Sequence, residues 1–274
     1  MTAQNRPGLL LALLGAFLLP FTPSHAEEAA QAETSPLSAF SLDATLDLYS
    51  AYLFRGIVYD NTPVYQPGLA LGYDAGEIGA FSIAAWANAA YGSDRPKHDE
   101  GINEIDYTVS WSRDFGVLGV EAGYCFFTFP GAHDDLDVHE LFTKVSYNND
   151  IVTPYTLLAM ELNRDSGTYA QIGLTRDFAL IPDRLTLTLD GYLSWGSAAY
   201  NRFFWGEEAD NSALDEYVLT AALSYALTEQ ISLGATVGLC GLIDGSARDS
   251  EVGMGDGVGE DLYFWGGLNL GVSL

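Results

Sequence analysis

The chain has 274 residues, of which 48% are hydrophobic, and it carries a net charge of −26 at neutral pH. This acidity excludes nucleic acid as a partner, because a phosphate backbone binds a basic surface. Beyond residue 20 there is no unbroken apolar run of about 18 residues, so membrane-spanning helices are not expected. An acidic chain is compatible with cationic solutes, divalent ions or simple solubility.

The first 26 residues have the pattern of a secretory signal, which we exclude from the fold. A basic start at Arg6 precedes an apolar core and Pro20, and a small-residue ending closes at Ala26. Removing Arg6 leaves 10 basic and 37 acidic residues, a net charge of −27. Residues 27–40 are rich in Ala and Glu without a strand period, which predicts a flexible periplasmic lead-in.

The stretch from Leu42 to Arg55 alternates apolar and polar residues with the two-residue period of a β-strand. Its apolar parity includes Tyr52 and Phe54, and its polar parity includes Asp43. The run exceeds the usual five or six residues of a globular strand and suits a tilted membrane crossing. A strand with one lipid face and one wet face is therefore predicted.

The same period recurs along the chain and predicts about twelve strands. The connections between them alternate between short and long, and the even count places both termini on one side. We therefore predict a transmembrane antiparallel up-and-down β-barrel over residues 41–274, with short periplasmic turns and long extracellular loops. The predicted strands are marked by residues 42–55, 69–73, 79–91, 105–111, 118–126, 141–147, 155–162, 170–174, 185–195, 217–225, 231–239 and 262–274.

Outward aromatic residues fall at the two ends of these strands, as expected for two interfacial girdles. The predicted long-loop girdle contains Tyr52, Phe54, Tyr91, Tyr124, Phe126, Trp195, Tyr217 and Phe264. The predicted short-turn girdle contains Tyr73, Phe81, Trp111, Tyr147, Tyr155 and Tyr225.

The inward parity is strongly acidic, and in a barrel it lines water. Such a lining favours cations over anions, although a plugged or purely structural interior is an equally valid reading of the pattern. A charged entrance is expected where Arg55 and four of the acids approach the long loops. The predicted lumen-lining residues are Asp43, Asp47, Arg55, Glu104, Asp106, Glu121, Glu140, Lys144, Asp190 and Glu216.

The long loop from residue 133 to 140 collects carboxylates and imidazoles that suit a divalent cation. The candidate ligands are His133, Asp134, Asp135, Asp137 and His139, in a spacing that matches no template. An exposed acidic run of this kind is more often simply solvated. No other cofactor is expected.

The chain has no GxSxG or HExxH motif, and no histidine lies in a recognisable arrangement with a serine nucleophile. We therefore predict no catalytic residues and no enzymatic activity. Cys125 and Cys240 fall on strands five and eleven of the predicted ring, on opposite walls. Because a disulfide needs Cα atoms within about 7 Å, both thiols are predicted to be unpaired.

The segment from Asp47 to Ile57, DLYSAYLFRGI, resembles the opening of the TorF-type porins, formerly grouped as Gcw_chp conserved hypothetical proteins. The strands AAWAN (84–88) and NEIDY (103–107) are similar to the same family. The resemblance implies an outer-membrane barrel that acts as a porin, and it supplies no catalytic residues. The chain departs from outer-membrane habit by ending in Leu274 rather than an aromatic residue.

These observations predict a porin-like channel in the outer membrane of a Gram-negative-type bacterium, exported by its signal peptide. It would pass small hydrophilic solutes, preferentially cations, by passive diffusion, in contact with outer-membrane lipid and lipopolysaccharide. One alternative is a non-conducting barrel that serves as a scaffold, adhesion or envelope-interaction protein. Another is a soluble periplasmic β-protein that binds an apolar ligand with its leucine face inside. Oligomeric state is left open.

Overall fold

The structure is a computed structural model of the chain, which describes residues 36–90, 101–130, 137–163, 167–249 and 262–274. The predicted signal peptide, and all but the last five residues of the predicted lead-in, lie outside the described residues. In chain order the strands are β1 (Phe40–Tyr49), β2 (Tyr52–Phe54), β3 (Ile57–Asp60), β4 (Val64–Asp74), β5 (Ala80–Ala90), β6 (Gly101–Phe115), β7 (Leu118–Thr128), β8 (Val138–Tyr147), β9 (Thr153–Glu161), β10 (Thr168–Ile181), β11 (Leu185–Gly196), β12 (Ala213–Ala226), β13 (Ile231–Leu242) and β14 (Leu262–Ser273).

Twelve of these strands form a closed antiparallel barrel, which confirms the predicted fold class. The ring runs through β1 and β4 to β14, and β1 closes it by pairing with both β4 and β14. Strands β2 and β3 form a separate hairpin between β1 and β4. Short helices α1 (Ala198–Trp205) and α2 (Gly245–Asp249) lie in two of the longer connections. Within the described residues, no helix has the length and apolarity needed to cross a bilayer.

The barrel wall follows the two-residue period of the sequence. In β4, Val64, Gln66 and Ala70 are buried, whereas Tyr65 and Leu69 between them are exposed. The exposed parity of the wall strands is largely aliphatic, which is the composition of a lipid-facing surface. Closure leaves no unpaired strand edge, so the wall meets the requirement that every backbone polar group in a bilayer be paired.

The seam between β1 and β14 is reinforced by an inward-facing hydrogen-bond network. The Asn269 side-chain amide donates to Asp47 Oδ1 at 2.8 Å and to the Tyr49 hydroxyl at 2.9 Å. Asn269 also accepts a hydrogen bond from Thr236 on β13 at 3.0 Å. One buried side chain therefore connects three neighbouring strands at the place where the first and last strands of the barrel pair.

The predicted opening strand is too long, because β1 ends at Tyr49 and the chain then turns into the barrel. Tyr52 and Phe54 were expected on the lipid face, but they are buried inside, with 3% and 6% of their surface exposed. The reversal occurs at Arg55 and Gly56, whose φ angles of 48° and 84° are both positive, as a two-residue type I′ turn requires. The prediction failed because Tyr52 and Phe54 occupy even-numbered positions, as do the lipid-facing leucines of β1, so the alternation alone gives no sign that the strand has ended.

The prediction that Tyr155 belongs to the short-turn girdle is also wrong. Leu158 and Met160 on β9 are exposed, and their parity places Tyr155 inside the barrel, where it is buried. Its hydroxyl donates to Asp190 Oδ2 at 3.1 Å, which satisfies a polar group that lipid would leave unpaired. The other members of that girdle are partly or fully exposed. In the long-loop girdle, Tyr91 lies outside the described residues, and the members other than Tyr52 and Phe54 that the structure describes are partly or fully exposed.

Cys125 and Cys240 are both free and buried, on β7 and β13, which lie six strands apart around the ring. Their exposed fractions are 0% and 2%. We expect the folded protein in detergent to resist maleimide labelling, because neither thiol reaches solvent. Mass spectrometry should show two added labels only after unfolding in denaturant without reductant. An intramolecular disulfide, or labelling of the folded barrel at the unfolded rate, would contradict this arrangement.

Candidate functional site: the plug in the lumen

The β2–β3 hairpin enters the lumen and presents Arg55 at its tip. Phe54 pairs with Ile57 across the turn, so the hairpin is as tight as two central residues allow. Glycine suits position 56 for two reasons. Its φ is positive, and a Cβ at this position would lie only 2.9 Å from the Leu242 side chain and 3.1 Å from that of Trp205. A positive φ is rare for an arginine, and it persists only where the surroundings hold it in place.

The Arg55 guanidinium makes a bidentate ion pair with Glu140 on β8. Nη1 donates to Oε2 at 2.7 Å and Nη2 donates to Oε1 at 2.8 Å. The guanidinium also lies over the ring of Tyr169, 4.3 Å from its centroid, and over Phe54 at 4.7 Å. Both charged side chains are almost fully buried, with 7% and 3% exposed. Burial lowers the pKa of Arg55, but the charge of Glu140, its hydrogen bonds to the guanidinium, and the nearby Tyr200 and Tyr169 together raise that pKa above its usual value, so the guanidinium stays charged.

A second buried carboxylate extends this network across the lumen. The Tyr169 hydroxyl donates to Glu216 Oε1 at 2.6 Å and accepts from Gln171 Nε2 at 2.8 Å. Glu216 on β12 exchanges further hydrogen bonds with Ser194 on β11 through its backbone. Arg55 therefore contacts β8 directly through Glu140. It is linked indirectly to β10, β11 and β12 through the ring of Tyr169 and the hydrogen bonds of Glu216.

The hairpin also packs against opposite walls through apolar side chains. Tyr52 and Phe54 join a cluster with Phe127 on β7 and Val138 on β8. Ile57 and Val58 join another, which contains Trp205 of α1 and three wall residues, Val218, Cys240 and Leu242. Contacts on both sides mean that the hairpin spans the half of the lumen nearer the long loops, which we call the outer half. Each such buried side chain contributes about 1.5–3 kcal/mol, so withdrawing the hairpin exposes several at once.

Helix α1 fills the lumen beside the hairpin. Ser197 caps it by accepting from the Tyr200 amide at 3.3 Å, and Gly206 ends it by donating to the Arg202 carbonyl at 3.1 Å. Tyr200 and Trp205 are buried, and burial raises the pKa of Tyr200, which keeps its phenol neutral. We call the hairpin of residues 52–60 together with α1 the plug.

The structure divides the ten predicted lumen residues between two environments. Five lie in or around the plug and are buried, namely Arg55, Glu104, Asp106, Glu140 and Glu216. The other five remain partly exposed, namely Asp43, Asp47, Glu121, Lys144 and Asp190. Four of them lie in the half of the lumen nearer the short turns, whereas Asp47 lies near the end of β1 that leads to the hairpin, where Asn269 bonds both it and Tyr49. The expected charged entrance at Arg55 is therefore wrong, because that end of the described lumen is packed by the plug and its acids are buried.

The half of the lumen nearer the short turns has its own polar arrangement. Lys144 Nζ lies 4.6 Å from the centroid of the Tyr155 ring, and Tyr155 in turn donates to Asp190. Glu121 is the cross-strand partner of Lys144. Asp43 accepts from Ser41 at 3.3 Å and also from Ser273. This half of the lumen therefore presents partly exposed carboxylates and one lysine, and we call it the vestibule.

The predicted metal loop is only partly described. His133, Asp134 and Asp135 lie outside the described residues. The His139 ring is on the outer wall, stacked on Phe126 at 4.5 Å, with its Nδ1 hydrogen-bonded to the Tyr124 hydroxyl. Asp137 Oδ1 accepts from the Phe129 amide at 3.4 Å. Among the described residues, no three His, Cys, Asp or Glu side chains are grouped for a metal ion.

Sequence reasoning missed several residues of the plugged half. Tyr169 and Tyr200 lie beside Arg55, with ring centroids 4.3 Å and 5.9 Å from its guanidinium carbon. The run Phe203-Phe204-Trp205 was the available signal that the loop carrying Tyr200 is buried. Asp215 was missed because an irregularity between Leu193 and Trp195 shifts the register with β12. Asp215 is therefore buried beside Glu216, and it accepts from Asn201 of α1 at 2.9 Å.

Comparison with known proteins gives a family. The family model described as MltA-interacting protein MipA matches residues 40–252. The match begins at the first residue of β1 and ends between α2 and β14. The chain belongs to the MipA family. The expected outer-membrane barrel is thus supported, while the resemblance to TorF-type porins is not confirmed by this match. No curated protein matches the chain.

Solved structures share the fold of this MipA-family barrel. The outer-membrane channel from Pseudomonas putida F1 has 11% identity and a TM-score of 0.52, covering 90% of this chain and 100% of that one. The NanC porin has 10% identity and a TM-score of 0.50, covering 84% and 98%. The KdgM porin in complex with disordered oligogalacturonate has 11% identity and a TM-score of 0.50, covering 85% and 99%. At such identities the likeness concerns the fold, and fold and family together indicate the outer membrane.

We expect the Arg55–Glu140 pair to hold the hairpin in place. Arg55→Ala or Glu140→Ala should destabilise the packed hairpin by about 3–5 kcal/mol, since each leaves an unpaired buried charge. Hydrogen exchange of the amides of residues 52–60 should then accelerate at least about a hundredfold.

The matched control for this pair is Arg202→Ala, which removes a more exposed ion pair with Asp210 of 2.6 Å. Exposed pairs are worth about 1 kcal/mol or less, so exchange in the hairpin should change little. A Glu140→Ala variant whose hairpin exchanges no faster than that of Arg202→Ala would show that the ion pair does not hold the plug.

Proposed function

We propose that this protein is an outer-membrane barrel that is closed at rest and acts as an envelope-interaction protein. The plug carries the proposal, because hairpin and helix contact opposite walls and fill the outer half of the described lumen. A freely diffusing solute needs a continuous wet path, and desolvated aromatic packing does not supply one. The predicted signal peptide of residues 1–26 would export the chain, and the aliphatic outer wall would contact outer-membrane lipid and lipopolysaccharide.

The family supplies the class of partner. Its description is that of an MltA-interacting protein, which says that a member binds MltA. A rigid barrel with a filled lumen suits a binding platform, since its shape does not depend on a passing solute. The proposed role includes no catalytic step and no cofactor, in keeping with the absence of a catalytic motif in the sequence.

A second candidate function is gated passage of small hydrophilic solutes. The observation that favours it is the vestibule, in which Glu121 and Asp190 are partly exposed near Lys144. Such a lining would favour cations once the plug has withdrawn, because carboxylates lower the energy of a passing cation. Passive diffusion through the resting barrel has no support from the packed outer half.

Single-channel recording separates these functions. The wild-type protein, refolded in a planar bilayer, should stay silent for most of the recording, since opening breaks a buried ion pair and several apolar contacts. Glu140→Ala should raise the open probability, whereas Arg202→Ala should not. Steady conductance by the wild type at the level of the Glu140→Ala variant would rule out a barrel that is closed at rest.

The selectivity of the second candidate is tested in the same recordings. In the loosened Glu140→Ala background, a salt gradient should give a reversal potential of cationic sign. Adding Glu121→Gln should shift it toward zero, because one carboxylate of the vestibule is neutralised. If the Glu140→Ala variant is anion-selective, or remains silent while its hairpin exchanges freely, the protein is not a gated cation channel.

The interaction itself is tested with purified MltA. We expect saturable binding to the detergent-solubilised protein, measured by biolayer interferometry at physiological salt. The control is the NanC porin, which shares the fold and not the sequence. Equal binding to both barrels, or none to either, would contradict the proposed role.

A further inference from the structure

A small cavity lies between the plug and the barrel wall, beside the guanidinium of Arg55. Its volume is about 20 Å³, enough for one or two water-sized groups. The carboxylates of Glu104 on β6 and Glu140 on β8 line it. Aromatic rings form much of the remaining surface, including those of Phe54, Phe127 and Phe204. The cavity is therefore acidic and aromatic at once.

The charges around this cavity do not balance within the described residues. Of the two lining carboxylates, Glu140 is neutralised by Arg55, but Glu104 has no basic partner there. Asp106, two residues further along β6, also has none, although it does not line the cavity. Asp106 is 3% exposed, and neither of its carboxylate oxygens has a hydrogen-bond partner among the described residues. A buried, unpaired carboxylate costs several kcal/mol. This group of side chains therefore lacks positive charge.

The lining chemistry selects the kind of cation. Ring faces attract ammonium groups through their quadrupoles, and a carboxylate adds charge and hydrogen-bond acceptors. A divalent metal needs several oxygen, nitrogen or sulfur ligands around one point, and the described residues contain no such group. The small volume excludes a quaternary ammonium. We propose that this cavity binds a primary ammonium group, either free or as the head of a larger amine.

The position of the site gives the ligand a structural consequence. Phe54 and Arg55 belong to the plug, whereas Glu104 and Phe127 belong to the wall, so a bound ammonium contacts both. Binding to the plugged state alone stabilises that state by mass action. Ammonium compounds should therefore slow opening of the hairpin. This inference concerns a ligand of the closed barrel and does not depend on the MltA interaction or on conductance.

Calorimetric titration of the wild-type protein in detergent tests the site directly, with methylammonium chloride as the probe at constant ionic strength. We expect saturable binding, no binding of tetramethylammonium, and weak competition by sodium. Hydrogen exchange of residues 52–60 should slow as methylammonium saturates. If sodium competes as well as methylammonium, or the heat does not saturate, general attraction by an acidic lumen explains the result and the site is rejected.

Variants locate the site. Glu104→Gln should weaken methylammonium binding at least about tenfold, because a buried charge partner is lost. Phe127→Leu should weaken it by about threefold through loss of a ring face. The control, Glu77→Gln, makes the same change at an exposed position between β4 and β5 and should leave affinity unchanged. Should Glu104→Gln not fold, Glu104→Asp and Phe127→Leu carry the test.

Two further results would overturn the proposal. One is wild-type affinity in the Glu104 and Phe127 variants, which would place any binding elsewhere. The other is slowing of hairpin exchange by acidification alone, with no effect of methylammonium at any pH. In that case protons, rather than an ammonium ligand, neutralise the buried carboxylates.

Discussion

The bidentate pair between Arg55 and Glu140 is the contact on which the outer half of the barrel depends. It joins a turn of the chain to the wall across the lumen, and it does so where both partners are almost fully buried. Desolvation makes such a pair a poor source of net stability compared with apolar packing. Its geometric demand, two parallel hydrogen bonds and a stacked ring, instead fixes where the hairpin lies. The aromatic clusters on either side then supply the free energy.

The need for a plug follows from the dimensions of the wall. Twelve strands about 4.8 Å apart and tilted by about 45° enclose a backbone cylinder about 25 Å wide. Inward positions on β4 are small, with Gly68, Ala70 and Gly72 in succession, so wall side chains alone leave space. Near the short turns the inward carboxylates stay partly exposed. At the other end the chain fills that space with its own hairpin and helix.

Much of the barrel wall could be predicted from the sequence because the alternation that defines its strands is a local property of the chain. A two-residue period needs only neighbouring residues to alternate, so strand number, ring order and the inward parity of Glu104 or Asp190 follow from the chain itself. The hairpin was not readable, because Tyr52 and Phe54 keep the parity of β1 across Ser50 and Ala51. Arg-Gly is also a weaker signal for a type I′ turn than Asn-Gly. The partner of Arg55 lies 85 residues away, and no local pattern identifies it.

The two environments of the lumen change what its acidic residues do. A carboxylate selects ions only where water reaches it, so in the proposed gated channel the selection of cations would fall to the residues of the vestibule. Glu104, Asp106 and Glu216 instead surround the plug, where an unpaired charge is costly. The same parity that predicted a uniform acidic lining thus contains two environments, one partly exposed and one packed around a buried cation. The hairpin, which enters the lumen at one end only, is what separates them.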